Sequence, residues 1–254
     1  MPDITHKFHW IERPETGIFV RRLNRFAAEV TLSAAKTKVY LPNSGRLEEL
    51  LIPGNRVICE YRRNSGKTHH DLLLVETPSY PDNSPIWACL DSRMPPKLLS
   101  WSISGGLIPD LEPDGIIRTE PAFSGGRLDL AFEQSGRLHL VETKSCNLVD
   151  SSGIARFPDA PTSRGTGHIE KLISLSGGET IPHLFFIVMR SDAIGFAPFT
   201  ERDPEFCGAL LRANNAGVDI RAIQFSAGIE FQFMGELDIS LRPPKFPGFW
   251  PPMD

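Results

Sequence analysis

Two Ser-Gly pairs, at residues 124–125 and 135–136, divide the segment 117–145 into three strand-like stretches. Each pair suits a two-residue hairpin loop, because glycine readily adopts the positive φ that such loops require. Two consecutive hairpins would place the three stretches side by side in one antiparallel arrangement. The turns therefore constrain this part of the chain to a sheet and also fix the register of its strands.

The predicted register brings acidic residues together. It places Glu120 opposite Asp129 across the first hairpin, and Asp129 opposite Glu142 across the second. Lys144 lies two residues beyond Glu142 and projects from the same face, because side chains alternate along a strand. Directly opposed carboxylates destabilise a strand pair unless a cation or a shared proton neutralises them. The pattern predicts a divalent-cation site, and oxygen ligands of this kind suit Mg²⁺ or Mn²⁺.

An ordinary solvated strand face is the alternative interpretation, and the local pattern does not decide between the two. A Glu-x-Lys triplet alone should arise by chance about once in a chain of this size. The flanking stretches favour a buried sheet, where solitary carboxylates are costly. They are rich in apolar residues, namely Leu128, Leu130, Phe132, Leu138, Leu140 and Val141.

Composition bounds the class of protein. The chain has 254 residues, of which 41% are hydrophobic, enough for one large core or two modest ones, and two domains are predicted. It contains no apolar run as long as a membrane span and no signal-peptide core, so we expect a cytoplasmic protein without a membrane partner. The cysteines lack CxxC spacing and are predicted to be reduced, with Cys146 a small buried hydrophobe. They are Cys59, Cys89, Cys146 and Cys207.

Charge is distributed unevenly along the chain. The net charge is −4, yet residues 1–85 carry 12 basic against 10 acidic side chains, which leaves the remainder strongly acidic. Basic residues cluster at Arg21, Arg22 and Arg25 beside Phe26, and again within residues 62–70. A groove that follows phosphates and stacks a base on an aromatic ring uses these residue types. A solvated charged face explains the same clusters, so both interpretations stay open.

The order of elements predicts two kinds of domain. Short strands separated by turns before residue 85 indicate a small OB-like β-barrel, with one or two helical turns within residues 46–52. Beyond it we predict a helix ended by Gly105 and Gly106, the two hairpins, and a loop over residues 148–161. A helix, a buried strand, a second helix and a further strand follow. This order predicts an α/β domain with a mixed sheet.

The first helix after the hairpins carries three basic side chains on one face. Thr162 or Ser163 can cap it, and Arg164, His168 and Lys171 then follow at i, i+4 and i+7. Such a face could approach a phosphate. Three ordinary surface residues would show the same spacing.

Four segments of the chain together resemble a known family. They are RRLNRFAAEV, PNSGRLEELLIPG, GRLDLAF with VETKS, and FPDAPTSRGTGHIEKL. The pattern resembles the sugar fermentation stimulation protein family (SfsA) over residues 18–225. The resemblance implies an α/β plus β fold: an OB-like nucleic-acid-binding domain over residues 1–85, and a PD-(D/E)xK restriction-endonuclease-like domain over residues 86–254, which ends in a proline-rich tail.

The resemblance also implies roles for residues. Asp129, Glu142 and Lys144 match the catalytic positions of the nuclease superfamily, and Glu120, Asp129 and Glu142 would hold Mg²⁺ or Mn²⁺. The residues expected to contact nucleic acid are Arg21, Arg22, Arg25, Phe26, Asn43, Arg127, Arg164 and His168. The chain departs from the family pattern at Pro161, Ser163 and Gly167, where many members have Val, Glu and Lys. These changes would alter a phosphate contact made there.

Two functions of different classes remain open at this point. The first is a DNA-binding protein of low sequence specificity with a regulatory role in sugar (maltose-type) metabolism. The second is a Mg²⁺-dependent nuclease that hydrolyses DNA or RNA phosphodiester bonds. An interaction protein without a nucleic-acid ligand is a weaker third interpretation, which the acidic net charge permits. A fold shared with nucleases does not by itself establish cleavage.

Overall fold

The computed structural model describes residues 7–62, 68–123 and 126–241. Eighteen strands and three helices are assigned in these ranges. They are β1 (Lys7–His9), β2 (Pro14–Asn24), β3 (Ala27–Leu32), β4 (Ala35–Tyr40), β5 (Arg56–Tyr61), β6 (His70–Pro78), β7 (Pro85–Cys89), α1 (Met94–Ser104), β8 (Arg118–Thr119), β9 (Ala122–Phe123), β10 (Gly126–Arg127), β11 (Leu130–Gln134), β12 (Arg137–Cys146), β13 (Leu148–Val149), β14 (Ile154–Phe157), α2 (Ser163–Ser174), β15 (Thr180–Val188), β16 (Gly195–Pro198), α3 (Pro204–Asn215), β17 (Asp219–Ser226) and β18 (Glu230–Leu237).

The N-terminal part is the predicted OB-like barrel. Its six strands pair in the order β4-β3-β2-β5-β6-β7, and a parallel bridge between Tyr40 and Asp71 brings β4 back to β6. The interior is apolar, with Phe19, Val30 and Leu72 among its buried side chains. Inward-facing aliphatic residues on short antiparallel strands close the barrel around this core.

The C-terminal part is an α/β unit built on a seven-stranded mixed sheet. The strand order is β1-β18-β17-β15-β12-β11-β8, with parallel pairing between β12 and β15 and between β15 and β17. Helix α1 packs on one face through residues such as Leu98, while α2 and α3 pack on the other through residues such as Ile169 and Leu210. The core beneath α1 also includes Leu74 and Cys89 of the barrel, so the two parts share apolar packing.

Several details differ from the sequence-based expectations. The segment 46–52 makes one of the one or two turns expected, in which Leu51 N donates to Leu47 O at 2.9 Å, but the turn does not continue into an assigned helix. Leu47 has a φ of 53°, which is incompatible with a continuing right-handed helix. The predicted loop at 148–161 contains β13 and β14, and β14 pairs in parallel with β16. Strand β18 was also not anticipated.

Two strands bear on the predicted domain division at residue 85. Strand β1 pairs with β18, so residues 7–9 lie in the C-terminal sheet. Strand β7 begins at Pro85 and lies in the barrel. The division at residue 85 stays a prediction.

The described residues also bear on two compositional expectations. None of their helices is long and apolar enough to cross a membrane. All four cysteines are buried and free, and burial raises the pKa of the Cys146 thiol to about 12, as expected of a thiol that packs as a small hydrophobe. The proline-rich tail, residues 242–254, and Arg63 and Lys67 lie outside the described residues.

Candidate active site in the cleft beside strand β12

The two hairpins adopt the register that the turns predict. Gln134 pairs with Arg137 between β11 and β12, and Leu130 pairs with Thr119 between β11 and β8. Extending these pairings by one residue places Asp129 between Glu120 and Glu142. Backbone hydrogen bonds support this position, since Glu120 N donates to Asp129 O at 2.9 Å and Asp129 N donates to Val141 O at 3.0 Å. The backbone therefore places Glu120, Asp129 and Glu142 side by side across the neighbouring strands, and we call these three residues the acid row.

Asp129 is held in place by the neighbouring strand. Its Oδ2 atom accepts hydrogen bonds from the backbone N of Thr143 at 2.7 Å and from the Thr143 Oγ1 hydroxyl at 2.6 Å. Burial and then the negative charge of Glu142 raise the pKa of Asp129, against the opposing effect of the Thr143 hydrogen bonds. The carboxylate is thus fixed in orientation, and a cation beside it would relieve the repulsion.

Glu142 is the most buried acid of the site, with 3% of its surface exposed. Its Oε1 atom accepts a hydrogen bond from Lys144 Nζ at 2.6 Å and contacts His168 Nδ1. Burial raises the pKa of Glu142, but the hydrogen bonds and charges of His168 and Lys144 outweigh burial, so the pKa lies below its ordinary value. Lys144 Nζ also lies 3.3 Å from His168 Nδ1, so these three side chains form one compact group.

Helix α2 places His168 beside Glu142 and Lys144, because hydrogen bonds fix the position of its first turn. Thr162 is the N-cap, and its Oγ1 accepts from Gly165 N at 3.0 Å. The backbone N of Thr162 in turn donates to Asp203 Oδ2 at 2.8 Å, which ties the start of α2 to the start of α3. Capping of this kind fixes the helix end and hence the direction of the histidine one turn later.

The other two basic residues of that helix face have different surroundings. Arg164 is exposed and lines the cleft described below, with its Nε 3.5 Å from His168 Nε2. The Lys171 ammonium is buried without a hydrogen-bond partner and lies beside the hairpin at Gly126. The shared face predicted for α2 is therefore directed towards the hairpins, and only two of its three basic residues reach the cleft.

The site opens into a cleft of about 910 Å³. Helix α1 forms one wall with Lys97 and Trp101, and the N-terminal half of α2 forms another. Asp129, Glu142 and Lys144 all line this space. A polymer with a charged backbone can therefore approach the three side chains from solvent.

Two carboxylates of the site fit a divalent cation. Asp129 and Glu142 are adjacent oxygen donors in a partly buried setting, and Mg²⁺ commonly uses one or two carboxylates and completes its shell with water and phosphate oxygens. Within residues 7–62, 68–123 and 126–241, no group of three acidic, histidine or cysteine side chains has the arrangement of a metal site. Glu120 has a φ of 47°, and its carboxylate is exposed and paired with Arg127 at 3.3 Å. Its role as a third ligand stays a prediction.

Two of the residues expected to contact nucleic acid, Arg22 and Asn43, hold a turn of the barrel, and their contact with nucleic acid stays a prediction. The Arg22 guanidinium donates to the carbonyl oxygens of Gly45, at 2.7 Å, and Asn43, at 3.3 Å. Asn43 is buried, with its Nδ2 donating to Leu90 O and its Oδ1 accepting from Gly45 N. Both side chains have their hydrogen-bonding capacity engaged by the backbone, which favours a structural contribution at residues 43–46.

The other three barrel residues of that prediction, Arg21, Arg25 and Phe26, are exposed, and together with the half-buried Tyr40 we call them the Arg-aromatic patch. Arg25 lies over the Phe26 ring at 5.5 Å, and Phe26 stacks on Tyr40 at 6.5 Å. Arg21 is exposed and makes a 3.4 Å ion pair with Glu29. Stacked rings flanked by guanidinium groups are the surface that single-stranded nucleic acid commonly contacts.

Two residues of the site region were not assigned a role from the sequence. Thr143 fixes Asp129, and its position inside the Glu-Thr-Lys triplet was a usable signal. Asp159 belongs to the segment FPDAPTSRGTGHIEKL that carries the family resemblance, and its Oδ2 accepts from the backbone N atoms of Arg46, at 3.1 Å, and Leu47, at 3.4 Å, and so links the two domains.

The fold and the site together define a class: an OB domain joined to a restriction-endonuclease-like domain whose central strands present Asp, Glu and Lys to a cleft. Comparison with known proteins gives the particular family. Residues 20–89 match the SfsA N-terminal OB domain, and residues 93–230 match the sugar fermentation stimulation protein RE domain. The chain belongs to the sugar fermentation stimulation protein (SfsA) family.

Individual relatives agree with this assignment. The chain is 37% identical over 239 residues to a sugar fermentation stimulation protein homolog of Pyrobaculum arsenaticum, an alignment that covers 92% of this chain and 98% of the relative. A homolog from Alkaliphilus metalliredigens is 36% identical and covers 81% of this chain and 87% of its own length. The solved structure of Pyrococcus furiosus SfsA in complex with Ca²⁺ superimposes with a TM-score of 0.83 at 33% identity, covering 92% and 99% of the two chains.

Proposed function

We propose that this protein binds DNA in the cytoplasm with little sequence preference and hydrolyses phosphodiester bonds in its cleft with the help of a divalent cation. The observation that carries the proposal is the convergence of Asp129, Glu142 and Lys144 at an open cleft, reinforced by His168 from a separate element. Buried charged groups that line an accessible cleft, rather than a sealed core, are typical of a catalytic site.

Asp129 and Glu142 would hold Mg²⁺ or Mn²⁺. When bound, the cation polarises the scissile phosphate and makes a coordinated water a stronger nucleophile at neutral pH. The Pyrococcus furiosus relative was solved with Ca²⁺, which also prefers oxygen ligands, and this supports a divalent-cation site in the present chain. Thr143 keeps the Asp129 carboxylate in its orientation through two hydrogen bonds.

The remaining side chains would act on the substrate rather than on the cation. Lys144 is placed to orient the attacking water or to offset negative charge that develops on the phosphate. His168 contacts the same Glu142 oxygen as Lys144 and limits the movement of that carboxylate. Arg164, exposed on the cleft wall, would contact a neighbouring phosphate.

Low sequence preference follows from how the helices are used. In the described part of the chain, strands separate the three helices from one another in sequence, so none of them belongs to a helix-turn-helix unit of the kind that reads the major groove. The Arg-aromatic patch offers guanidinium groups and rings, which contact phosphates and base faces without reading base edges. RNA carries the same groups and is the second candidate ligand.

A second candidate function is DNA binding alone, with a regulatory role in sugar (maltose-type) metabolism. It is favoured by the position of Arg21, Phe26 and Tyr40, none of which lines the cleft. Binding through the patch could therefore proceed without chemistry at Asp129. In that case the acids would hold a cation without turnover.

Both halves of the proposal can be tested with purified protein. Plasmid, single-stranded DNA and single-stranded RNA are incubated with Mg²⁺ or Mn²⁺, and wild type is compared with Asp129→Asn. The matched control is Asp238→Asn, the same substitution at an exposed position outside the cleft. We expect metal-dependent cutting by wild type and by the control, and its loss in Asp129→Asn with binding retained.

Two outcomes would count against the proposal. Tight binding without metal-dependent cutting, unchanged by Asp129→Asn, would overturn the nuclease half and leave the regulatory alternative. The affinity for labelled duplex is also measured at several salt concentrations, because phosphate contacts release counterions and make binding salt-dependent. An affinity that does not change with salt would overturn the DNA-binding half.

A further inference from the structure

One stripe of the surface of helix α1 faces the cleft. Lys97, Ser100, Trp101 and Ser104 all line the cleft, and their spacing along the helix places them on one face. The buried residues of α1, such as Leu98, lie in the core on another face. The helix therefore presents a mostly polar stripe to the cleft, with a single aromatic ring in it.

Trp101 differs from two other tryptophans that pack at the edge of the same core. Trp10 and Trp87 are half-buried there as Trp101 is, but neither lines the cleft. The Trp10 indole N–H donates to Gly228 O at 2.8 Å, and the Trp87 ring lies 5.7 Å from the Arg56 guanidinium. The Trp101 indole N–H has no hydrogen-bond partner among the described residues and is not buried. Contacts within the protein therefore leave part of Trp101 available to a ligand.

A second aromatic ring supports Trp101. Phe8 packs against it with the ring centroids 5.8 Å apart and the ring planes at 69°. Phe8 is itself held in strand β1, where it pairs with Phe231 of β18. An edge-to-face contact uses an edge of one ring and one face of the other, so Phe8 leaves at least one face of the indole uncovered. The indole is thus fixed in position and still has a face on which a flat group can stack.

Positive charge lies close to this ring. Lys97 is one helical turn before Trp101, and it is exposed and makes no ion pair within the described ranges. Arg164 is exposed on the α2 wall of the same cleft, and Lys144 lies between the two walls. Aromatic rings that stack on bases, flanked by cations that contact the phosphates, are how proteins bind single-stranded nucleic acid.

We propose that Trp101 stacks on an unpaired base next to the scissile phosphate, with Lys97 at an adjacent phosphate, so that the cleft takes single-stranded or locally unpaired nucleic acid in preference to intact duplex. The inference rests on the proposed function and specifies its substrate class. In a duplex each base is paired and stacked on its neighbours, so a side chain reaches a base face only after that base has left the stack. Stacking accepts every base, which agrees with low sequence preference.

The first test measures binding without cleavage, in the Asp129→Asn background. Affinities are compared for a labelled single strand and for a blunt duplex of the same sequence. Trp101→Leu should weaken single-strand binding about tenfold, the effect of losing one stacked base, and duplex binding by less than about twofold. Trp87→Leu, which removes a half-buried indole from the same core outside the cleft, is the matched control and should change neither affinity. An equal loss for both ligands, or no loss for either, would overturn the inference.

Trp101→Phe provides a second variant if Trp101→Leu does not fold. It keeps an aromatic ring in the cleft, so single-strand affinity should stay within about threefold of that of the parent protein. A base stacked on an indole quenches its fluorescence. The single strand should therefore quench the fluorescence of the parent protein, and most of this quenching should be absent from Trp101→Phe. Quenching that persists unchanged in Trp101→Phe would show that no base stacks on Trp101.

The second test compares cutting by wild type with Mn²⁺ of a single strand, an intact duplex, and the same duplex with a central mismatched bubble. DNA and RNA versions of the single strand show which polymer is preferred. We expect cutting of the single strand and within the bubble. If the duplex is cut as readily as the single strand and Trp101→Leu changes neither rate, the stacking site is overturned while the nuclease stands. If no substrate is cut, but single strands are still preferred in a Trp101-dependent manner, the stacking site stands and the nuclease fails.

Discussion

Strand β12 carries two polar clusters, one on each face of the sheet, that are built from the same residue types. On the face covered by α2, Glu142 and Lys144 meet His168. On the face that packs towards α1, His139 pairs with a second histidine and an aspartate of the neighbouring strands. Histidine and carboxylate are common to both clusters, so residue type does not distinguish a site from a structural network.

The second cluster is a closed chain of hydrogen bonds. His139 Nδ1 lies 2.9 Å from His183 Nε2, and His183 Nδ1 lies 2.8 Å from Asp219 Oδ2. The His139 ring stacks on Phe132 at 4.7 Å and on His183 at 5.0 Å. Both histidines are at most 5% exposed, so aromatic packing separates their rings from solvent, while the Asp219 carboxylate at the end of the chain is 38% exposed. Such a network stabilises the fold, and its histidine rings cannot contact a substrate.

The cluster at the cleft, which includes Asp129 and Glu142, differs from the histidine network in two ways. It is open to solvent, and its two carboxylates lie close together and repel each other. Asp129 has a raised pKa because it is buried beside Glu142, and the space in front of it is open. A cation or a substrate phosphate can reach this cluster, whereas nothing can reach His139. Substitutions should therefore affect activity at one cluster and stability at the other.

The largest expected effect is at Glu142. Glu142→Gln keeps the volume and removes the charge, so we expect metal-dependent cleavage to fall by roughly 10³-fold, the scale at which single catalytic groups are lost. The melting temperature should fall moderately, because the Lys144 ammonium loses its buried counter-charge, although the glutamine oxygen can still accept its hydrogen bond. Initial cleavage rates and thermal unfolding are measured in parallel. Unchanged cleavage with a much lower melting temperature would show that Glu142 is structural, like the histidine network.

The opposite pattern is expected for the histidine network. His183→Leu leaves His139 Nδ1 and the Asp219 carboxylate without their partner, so the free energy of unfolding should fall by about 3 kcal/mol. Cleavage per folded molecule should stay the same. Urea denaturation measures the change, and His9→Leu, at a histidine whose side chain is 76% exposed, is the control with an effect within about 0.5 kcal/mol. A selective loss of cleavage in His183→Leu would contradict the distinction between the clusters.

The pH dependence of stability provides a third test. Burial, and then the neighbouring His183, lower the pKa of His139 from 6.5 to about 4. The unfolded chain therefore binds a proton at His139 below pH 6.5 that the folded chain does not bind until about pH 4. Stability from this residue is fully present above pH 6.5 and is lost as pH falls towards 4.

Between pH 7 and pH 5 the loss attributable to His139 should be about 2 kcal/mol. It is measured as the difference between wild type and His139→Phe, since carboxylates titrate in both proteins and cancel in the comparison. The variant should be less sensitive to acid over this range. An identical pH profile for the two proteins would show that His139 is protonated in the fold.

The backbone of the site could be predicted from sequence because its turns are local. Two-residue hairpin loops determine strand register by counting, and the observed pairings of β8, β11 and β12 follow that count. The direction of the Glu120 side chain could not be predicted in this way. Alternation holds for extended residues, and Glu120 adopts a φ of 47°.

The other features that could not be predicted from the sequence depend on contacts between residues that are far apart in the chain. Residues 7–9 pair with residues 230–232, a contact between distant parts of the chain that no local pattern encodes. The meeting of His168 with Glu142 likewise depends on how α2 packs on the sheet, although helical spacing correctly placed Arg164 and His168 on one face. The histidine network was not foreseen, because its members are separated by 44 and 36 residues in sequence.

The smallest effect is expected at Glu120, which the acid row includes by register but whose carboxylate is exposed and paired with Arg127. Glu120→Gln should change cleavage by less than about threefold, because the Glu120 carboxylate, although it lines the cleft, is exposed and paired with Arg127, and an exposed ion pair contributes little. Arg127→Gln removes the partner of the same ion pair and serves as the matched variant. Cleavage is measured over a range of Mn²⁺ concentrations, so that weaker cation binding is detected separately from slower turnover. If Glu120→Gln instead raises the Mn²⁺ requirement as strongly as Glu142→Gln, then Glu120 exchanges its ion pair with Arg127 for the cation, and Glu120, Asp129 and Glu142 act as the three-carboxylate set that the hairpin register predicts.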